Sequence, residues 1–330
     1  MLLNASLHKL QAQYINESFQ SDTLTVLFYN VENLFDDVDD PSFGDDEFSK
    51  KGIRAWSGFK YKSKIKKISQ VILAANNWEA TSIIGLAEIE NRNVLKELTS
   101  CSLLSRIGYK ILHKESQDHR GIDVGLLYDS QKIVLLDSAF YEIELADQAY
   151  SRDILYAKMK IRNDILHVFV CHWPSRFGGA LSSENNRMIA SEVLFNKCKR
   201  LLTENENSKI FIMGDFNDEP KDKSLSNLHD KLMLNNQALL HNLMDNEFDL
   251  GTIKFQNQWY LFDQFLISND LLKNDFGLQL YAKSQICSLP FLLVKDEKYL
   301  GIKPFRTFSG YRFIGGYSDH LPILVRLIYH

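Results

Sequence analysis

Cysteine and proline are scarce in this chain of 330 residues. The four cysteines, Cys101, Cys171, Cys198 and Cys287, form no C-x-x-C pair, which argues against a zinc ribbon. Cys171 falls in an apolar run and Cys198 in a helical pattern, so all four read as reduced thiols in or near the core. Only six prolines occur, and no Pro/Gly/Ser stretch divides the chain. The organisation expected is an N-terminal extension over 1–20 and a single domain over 21–330. No run is long and apolar enough to cross a bilayer, so a soluble protein is expected. Residues 1–20 mix Leu with His, Lys, Gln, Asn and Glu and lack the apolar centre of a signal peptide. A cytoplasmic location is expected unless a leader lies outside this sequence. Positive charge is also lacking, with a net charge of −4. That argues against coating duplex DNA through bulk charge. It leaves room for a nuclease with a local basic rim and a metal. G-x-x-x-x-G-K-[ST], G-x-S-x-G and H-E-x-x-H are missing, and Gly310 to Gly316 lacks the dinucleotide fingerprint.

What is there is an alternation of strands and helices. Leu24 to Asn30, Ser82 to Glu88, Ile122 to Tyr128, Lys209 to Asp215, Asp263 to Ser268 and Leu321 to Ile328 read as strands. Leu155 to Ile161 and Ile165 to His172 read as a hairpin turning at Arg162-Asn163-Asp164. Lys60 to Asn76 is predicted helical, with Ile65, Ile68, Val71, Ile72 and Ala75 on one face and lysines on the other. Glu184 to Glu204 is predicted as a long helix. Asn30, Glu88, His172 and Asp215 each close an apolar strand. Asp263 and Asp319-His320 each open one. If the last two strands run antiparallel to the other four, these groups meet on one rim of two packed sheets.

Carboxylates, an amide and an imidazole at one rim can hold a divalent cation, a water and a phosphate together. Glu88 ends a buried strand, where a carboxylate is costly unless paired or bound to a cation. A ligand of Mg²⁺ or Mn²⁺ is one reading; an arginine salt bridge or a helix-cap partner near Asn91 is the plain alternative. Asp215 could orient or deprotonate water, and Asn217 could donate to a phosphate oxygen. A simple Asx-turn is the alternative for Gly214-Asp215-Phe216-Asn217. His172 sits at a strand exit, where a structural histidine is commoner. Asp263 could fix the tautomer or charge of His320. Arg120 and Arg176 are the preferred phosphate clamps, chosen over Arg187 and Arg306 because each lies near a strand rim.

Taken together, Asn30-x-Glu32, Glu88, His172, Gly214-Asp215-Phe216-Asn217, Asp263 and Ser318-Asp319-His320 resemble the motifs of the endonuclease/exonuclease/phosphatase family, in order and in strand-end placement. The resemblance runs from about Leu24 to the end. Phe28 to Phe35, Arg120 to Val124 and His172 to Arg176 resemble a bacterial endonuclease-like branch. The resemblance implies an α/β fold, a four-layered sandwich of two mixed sheets with helices outside. It implies a phosphodiesterase or phosphatase dependent on Mg²⁺ or Mn²⁺. Glu88 would be the principal metal ligand, with Glu32 and Asp319 nearby. Asn30 and Asn217 would position phosphate, Asp215 would align water, and His320, oriented by Asp263, would contact the scissile phosphate. His172 stands where deoxyribonuclease and lipid-phosphodiesterase branches use His and abasic-site nucleases use Tyr.

A nuclease is the leading expectation, with DNA or RNA as the partner and no stable protein partner implied. Trp56, Trp173, Phe177, Tyr311 and Arg312 could grip a strand, although aromatics are mostly core. Hydrolysis of a phospholipid or inositol phosphate is the alternative. It would want an exposed apolar loop such as Phe291 to Val294, which reads more readily as a buried strand. The acidic stretch Asp36 to Asp40 would repel nucleic acid if it lay near the rim.

Overall fold

The structure is a computed structural model. It describes residues 23–40, 44, 46–146, 148–234, 237–245, 248–273 and 276–330. The expected extension over 1–20 lies outside the described residues. In chain order the principal elements are β1 (Thr23–Leu34), α1 (Gly58–Ala75), β2 (Ile83–Ile89), α2 (Arg92–Ser100), β3 (Lys110–Leu112), β4 (Asp123–Tyr128), β5 (Val134–Glu144), β6 (Tyr150–Ile161) and β7 (Asp164–His172). They continue with α3 (Glu184–Glu204), β8 (Lys209–Asp215), α4 (Lys223–Lys231), β9 (Leu240–Asn242), β10 (Asp263–Ser268), β11 (Leu278–Leu280) and β12 (Ile323–Tyr329).

Two mixed sheets result. The first runs β11-β12-β1-β2-β4-β3, with Gln285–Ile286 added beside β12. The second runs β9-β10-β8-β7-β6-β5. Period-two alternation sorts β1 cleanly. Val26 and Phe28 turn to the space between the sheets, where they meet Val168, Phe211, Met213 and Phe265. Leu27, Tyr29 and Val31 turn outward, where Ile65, Ile68 and Ile72 of α1 and Leu95 of α2 cover them. On the far face, Phe169, Ile210 and Ile212 pack under Leu194 and Cys198 of α3 and Leu225 of α4. The layers are therefore helix, sheet, sheet, helix.

The strand directions are those the rim requires. β1 pairs β2 in parallel and β7 pairs β8 in parallel. β12 runs antiparallel to β1, and β10 antiparallel to β8. Two sequence expectations need correction, and one strand went unread. Cys101 is exposed rather than in or near the core, because it caps the C-terminus of α2. Lys64 is buried, not on a solvated face. It lies four residues before Ile68, on the apolar side of α1. β5 was not foreseen. It is an edge strand, mostly exposed, and so carries no continuous apolar run.

Candidate active site

Register aligns the first three groups. His172, Asp215 and Asp263 are direct neighbours across β7, β8 and β10. Gly214 makes that row possible. A Cβ there would come within 2.5 Å of the Cys171 carbonyl oxygen. In the first sheet, the β1–β2 register slips after Asn30 and Ala87. Glu32, Asn33 and Glu88 take φ values of 53°, 53° and 64°. Non-glycine residues in that left-handed region are uncommon and cluster at functional sites. The bulge re-aims Glu88 from the strand's alternation toward the rim.

Asn30 then joins the two sheets. Its Nδ2 donates to Asp215 Oδ2 at 2.9 Å and to Glu88 Oε1 at 3.3 Å. Its Oδ1 accepts from the Glu32 amide at 3.0 Å, and its carbonyl accepts from Ser318 Oγ at 2.7 Å. Ser318 Oγ also accepts from the His320 amide, which sets the start of the last segment. Glu88 Oε2 accepts from the Asn33 amide at 2.8 Å. The Asn217 amide donates to Asp215 Oδ1 at 2.9 Å, so the Asx-turn is real. It holds the Asp215 carboxylate in place.

His320 Nδ1 lies 2.7 Å from Asp263 Oδ2, and its Nε2 lies 3.7 Å from Asp215 Oδ2. Burial alone would pull the imidazole down. Asp263 and Asp215 overcome this and hold it well above its usual range. Burial pushes Asp215 up to about 6, with Asp263 adding to the rise and His320 and Asn30 opposing it. His172 Nε2 stands 3.8 Å from the same Asp215 oxygen. Burial, with the charges of Arg152, Arg120 and His320, holds this second imidazole far below its usual range. Its Nδ1 is buried with no hydrogen-bond partner among the described residues. The two imidazoles on either side of one carboxylate are thus shifted in opposite directions.

Glu32 and Asp319 arrive by another route. The Arg306 guanidinium bridges them, Nε to Glu32 Oε1 at 3.1 Å and Nη2 to Asp319 Oδ2 at 2.9 Å. The Thr307 amide donates to Glu32 Oε2 at 2.6 Å. Lys64 stands behind, bonded to Thr307 Oγ1 and to the Tyr317 carbonyl at 2.7 Å. Glu32, Glu88 and Asp319 are not a tight trio of ligand atoms. The metal-type group within 4.8 Å among the described residues is Asp215, Asp263 and His320, in which the imidazole Nδ1 is already bonded to Asp263. Across the rim, five carboxylates (Glu32, Glu88, Asp215, Asp263 and Asp319) face Lys64, Arg120, Arg306 and the His320 imidazole. That excess of negative oxygen donors fits a hard divalent cation. Glu88 fits best, because its oxygens accept only from neutral amides, whereas Glu32 and Asp319 are paired with the Arg306 guanidinium.

The arginines fall differently from expectation. Arg120 reaches the rim, donating from Nη2 to Asn33 Oδ1 at 3.1 Å. Arg176 does not face a phosphate site. It donates to the Asn217 carbonyl at 2.7 Å and to Asp218 at 2.8 Å, and pairs with Asp222. Two carboxylates pair with it, and it braces the Asn217 turn. Arg187 is buried against Asp218. Arg306, passed over in the sequence, is the arginine in the cluster. Asn217 Nδ2 donates to the Trp173 carbonyl at 3.0 Å, so the amide is anchored to the His172 loop. Trp56 and Trp173 are wholly buried and offer no stacking surface, whereas Phe177 and Tyr311 are exposed.

The fold has many likenesses among solved structures. An endonuclease/exonuclease/phosphatase family protein of Bacteroides thetaiotaomicron is 15% identical, with a TM-score of 0.58, covering 93% of this chain and 98% of its own. A mannosyl-6-phosphatase of the same organism is 15% identical, with a TM-score of 0.59, over 93% and 100%. A humanized TDP2 of D. rerio is 14% identical, with a TM-score of 0.58, over 92% and 98%. No curated protein matches by sequence. The profile described as Endonuclease/Exonuclease/phosphatase family matches residues 25–328. Such a match takes in both sheets and the whole rim between them, so the chain belongs to that family and has its phosphodiesterase and phosphatase fold.

Proposed function

We propose that the chain is a divalent-metal-dependent phosphodiester hydrolase, a nuclease acting on DNA or RNA. One observation carries this reading: Asp263, His320, Asp215, Asn30 and Glu88 form a single connected array across two sheets. Glu88, with Glu32 and Asp319 beside it, would hold Mg²⁺ or Mn²⁺, which supplies a Lewis acid that neutralises phosphate charge. Asp215 is the base that orients and deprotonates the attacking water. A pKa raised to about 6 makes it more basic and still lies below neutral pH, so it can accept a proton. Asn30 and the Asn217 amide leave it little freedom to rotate. His320, kept protonated by Asp263, donates from Nε2 to a phosphate oxygen as charge builds there. His172, whose pKa burial holds far below the usual range, presents Nε2 to the same pocket, 3.8 Å from Asp215. Arg120, anchored on Asn33, is the rim guanidinium for an adjoining phosphate.

Nucleic acid is preferred over lipid for one reason. Phe291 to Leu293 pack against the outer core beside α1, so that stretch offers no free apolar loop. Exposed Phe177 and Tyr311 remain as stacking surfaces. The test is a substrate panel of supercoiled plasmid, single-stranded DNA, RNA, inositol phosphates and sphingomyelin, each with Mg²⁺ and with EDTA. Cleavage of a nucleic acid that chelation abolishes is expected. Turnover confined to sphingomyelin or inositol phosphates would overturn the nuclease reading. Turnover unaffected by EDTA would overturn the metal.

A further inference from the structure

Arg306 holds two carboxylates that the proposed cation also needs. Its Nε takes Glu32 Oε1, and its Nη2 takes Asp319 Oδ2. The other Glu32 oxygen is occupied by the Thr307 amide. A cation that takes Glu32 Oε1 would therefore share that oxygen's lone pairs with the guanidinium and lie against its positive charge, so the two compete. Arg306 is placed to yield. Its side chain is 46% exposed, against 4% for Glu32. Its departure would not strand Glu32, because the Thr307 amide and the buried Lys64 stay behind.

There is also somewhere for it to go. Arg306 and Asp319 line one side of a cleft of about 210 Å³, whose other walls include Lys254, Lys303 and Tyr299. Lys254 and Lys303 share one carboxylate, Asp296, at 3.2 and 3.1 Å. Two ammonium groups against one carboxylate leave that wall positive, which suits an anion.

We propose that Arg306 is a built-in counter-ion that competes with the divalent cation for Glu32 and Asp319 and, once displaced, turns into the adjacent cleft to hold a phosphate of the substrate. Cation and phosphate binding are then coupled through one side chain, since each favours the released arginine. This rests on the metal-dependent reading above, and the test separates the two.

Mn²⁺ is titrated into the substrate-free protein, with bound ion followed by electron paramagnetic resonance and calorimetry. Inorganic phosphate is then titrated at saturating Mg²⁺. Losing a charged hydrogen-bonded competitor should tighten Mn²⁺ about tenfold or more in Arg306→Ala. Phosphate should bind that variant about tenfold more weakly. Arg306→Lys keeps the charge but cannot span both carboxylates, so an intermediate Mn²⁺ affinity is expected, with circular dichroism as the control on folding. Wild-type Mn²⁺ binding with no gain in either variant would overturn the competition while leaving the metal reading intact. Unchanged phosphate affinity would overturn the turn into the cleft. Failure of the wild-type protein to bind Mn²⁺ would overturn both this proposal and the metal reading.

Discussion

His320 and Asp263 stand 2.7 Å apart, one just ahead of a strand of the first sheet and the other in the second sheet. His320 opens the run into β12 of the first sheet, and Asp263 opens β10 of the second. An isolated bridge between Ile253 and His320 ties the same corner. The imidazole is therefore held from behind by a fully buried carboxylate, and its other nitrogen faces Asp215.

Asp263→Asn should keep this geometry while removing the charge that favours imidazolium. A fall in kcat of about two to four powers of ten is expected. Nitrogen NMR should find the His320 pKa lowered in the variant. An unchanged His320 titration would refute the orienting role, whatever the rate.

Asp215→Asn and His320→Ala should each lower kcat by about two to three powers of ten, with circular dichroism unchanged. Wild-type turnover in either purified protein would remove that residue from the mechanism.

Glu88→Gln tests the metal assignment. The carboxamide can still accept from Asn30 or the Asn33 amide but lacks charge. Even residues one step outside a metal's ligands typically cost about 10–100-fold in affinity, so a ligand should cost no less. Mn²⁺ binding as tight as in the wild type would move the site away from Glu88.

Gly214→Ala tests the row of His172, Asp215 and Asp263. The added methyl would meet the Cys171 carbonyl at 2.5 Å, which is backbone and cannot swing aside. Destabilisation of about 1–3 kcal/mol is expected, with activity lost as Asp215 is displaced. A melting temperature equal to the wild type would show that β7 and β8 separate more easily than this packing implies.

His167 gives a pH dependence independent of the site. Its Nδ1 meets Tyr156 Oη at 2.8 Å, and burial lowers its pKa from 6.5 to about 4. Between those values the unfolded chain binds more protons than the folded one, so stability drains away as pH falls through that window. His167→Gln should lose that part of the acid sensitivity in urea melts. Identical slopes between pH 6.5 and 4 in both proteins would contradict it.

Much of this was legible because strand ends announce themselves. An apolar run stopping at His172 or Asp215 marks both a strand and its rim, since burial of the run leaves the polar end at the edge. By contrast, β1 and β2 run on past Asn30 and Glu88 to Leu34 and Ile89 through a bulge. The long helix Glu184–Glu204 follows from the same logic at helical spacing. Arg306 and Lys64 were not legible. Arg306 lies in a loop without periodicity, and its importance comes from Glu32, far away along the chain. Arg176 looked right by position, yet Asp218 and Asp222 claim it. Nothing local distinguishes an arginine that will meet a phosphate from one that will meet an aspartate.

The sequence by itself determined which residues sit at strand ends and which faces of those strands are apolar, because both depend on neighbours within a few positions. Only the tertiary structure decided charge and pairing. His320 and His172 carry the same side chain, and burial works against charge on both, but Asp263 and Asp215 outweigh it at one while Arg152 and Arg120 add to it at the other. Those surroundings come from strands brought together by register across two sheets, and electrostatic environment follows distance in space rather than along the chain.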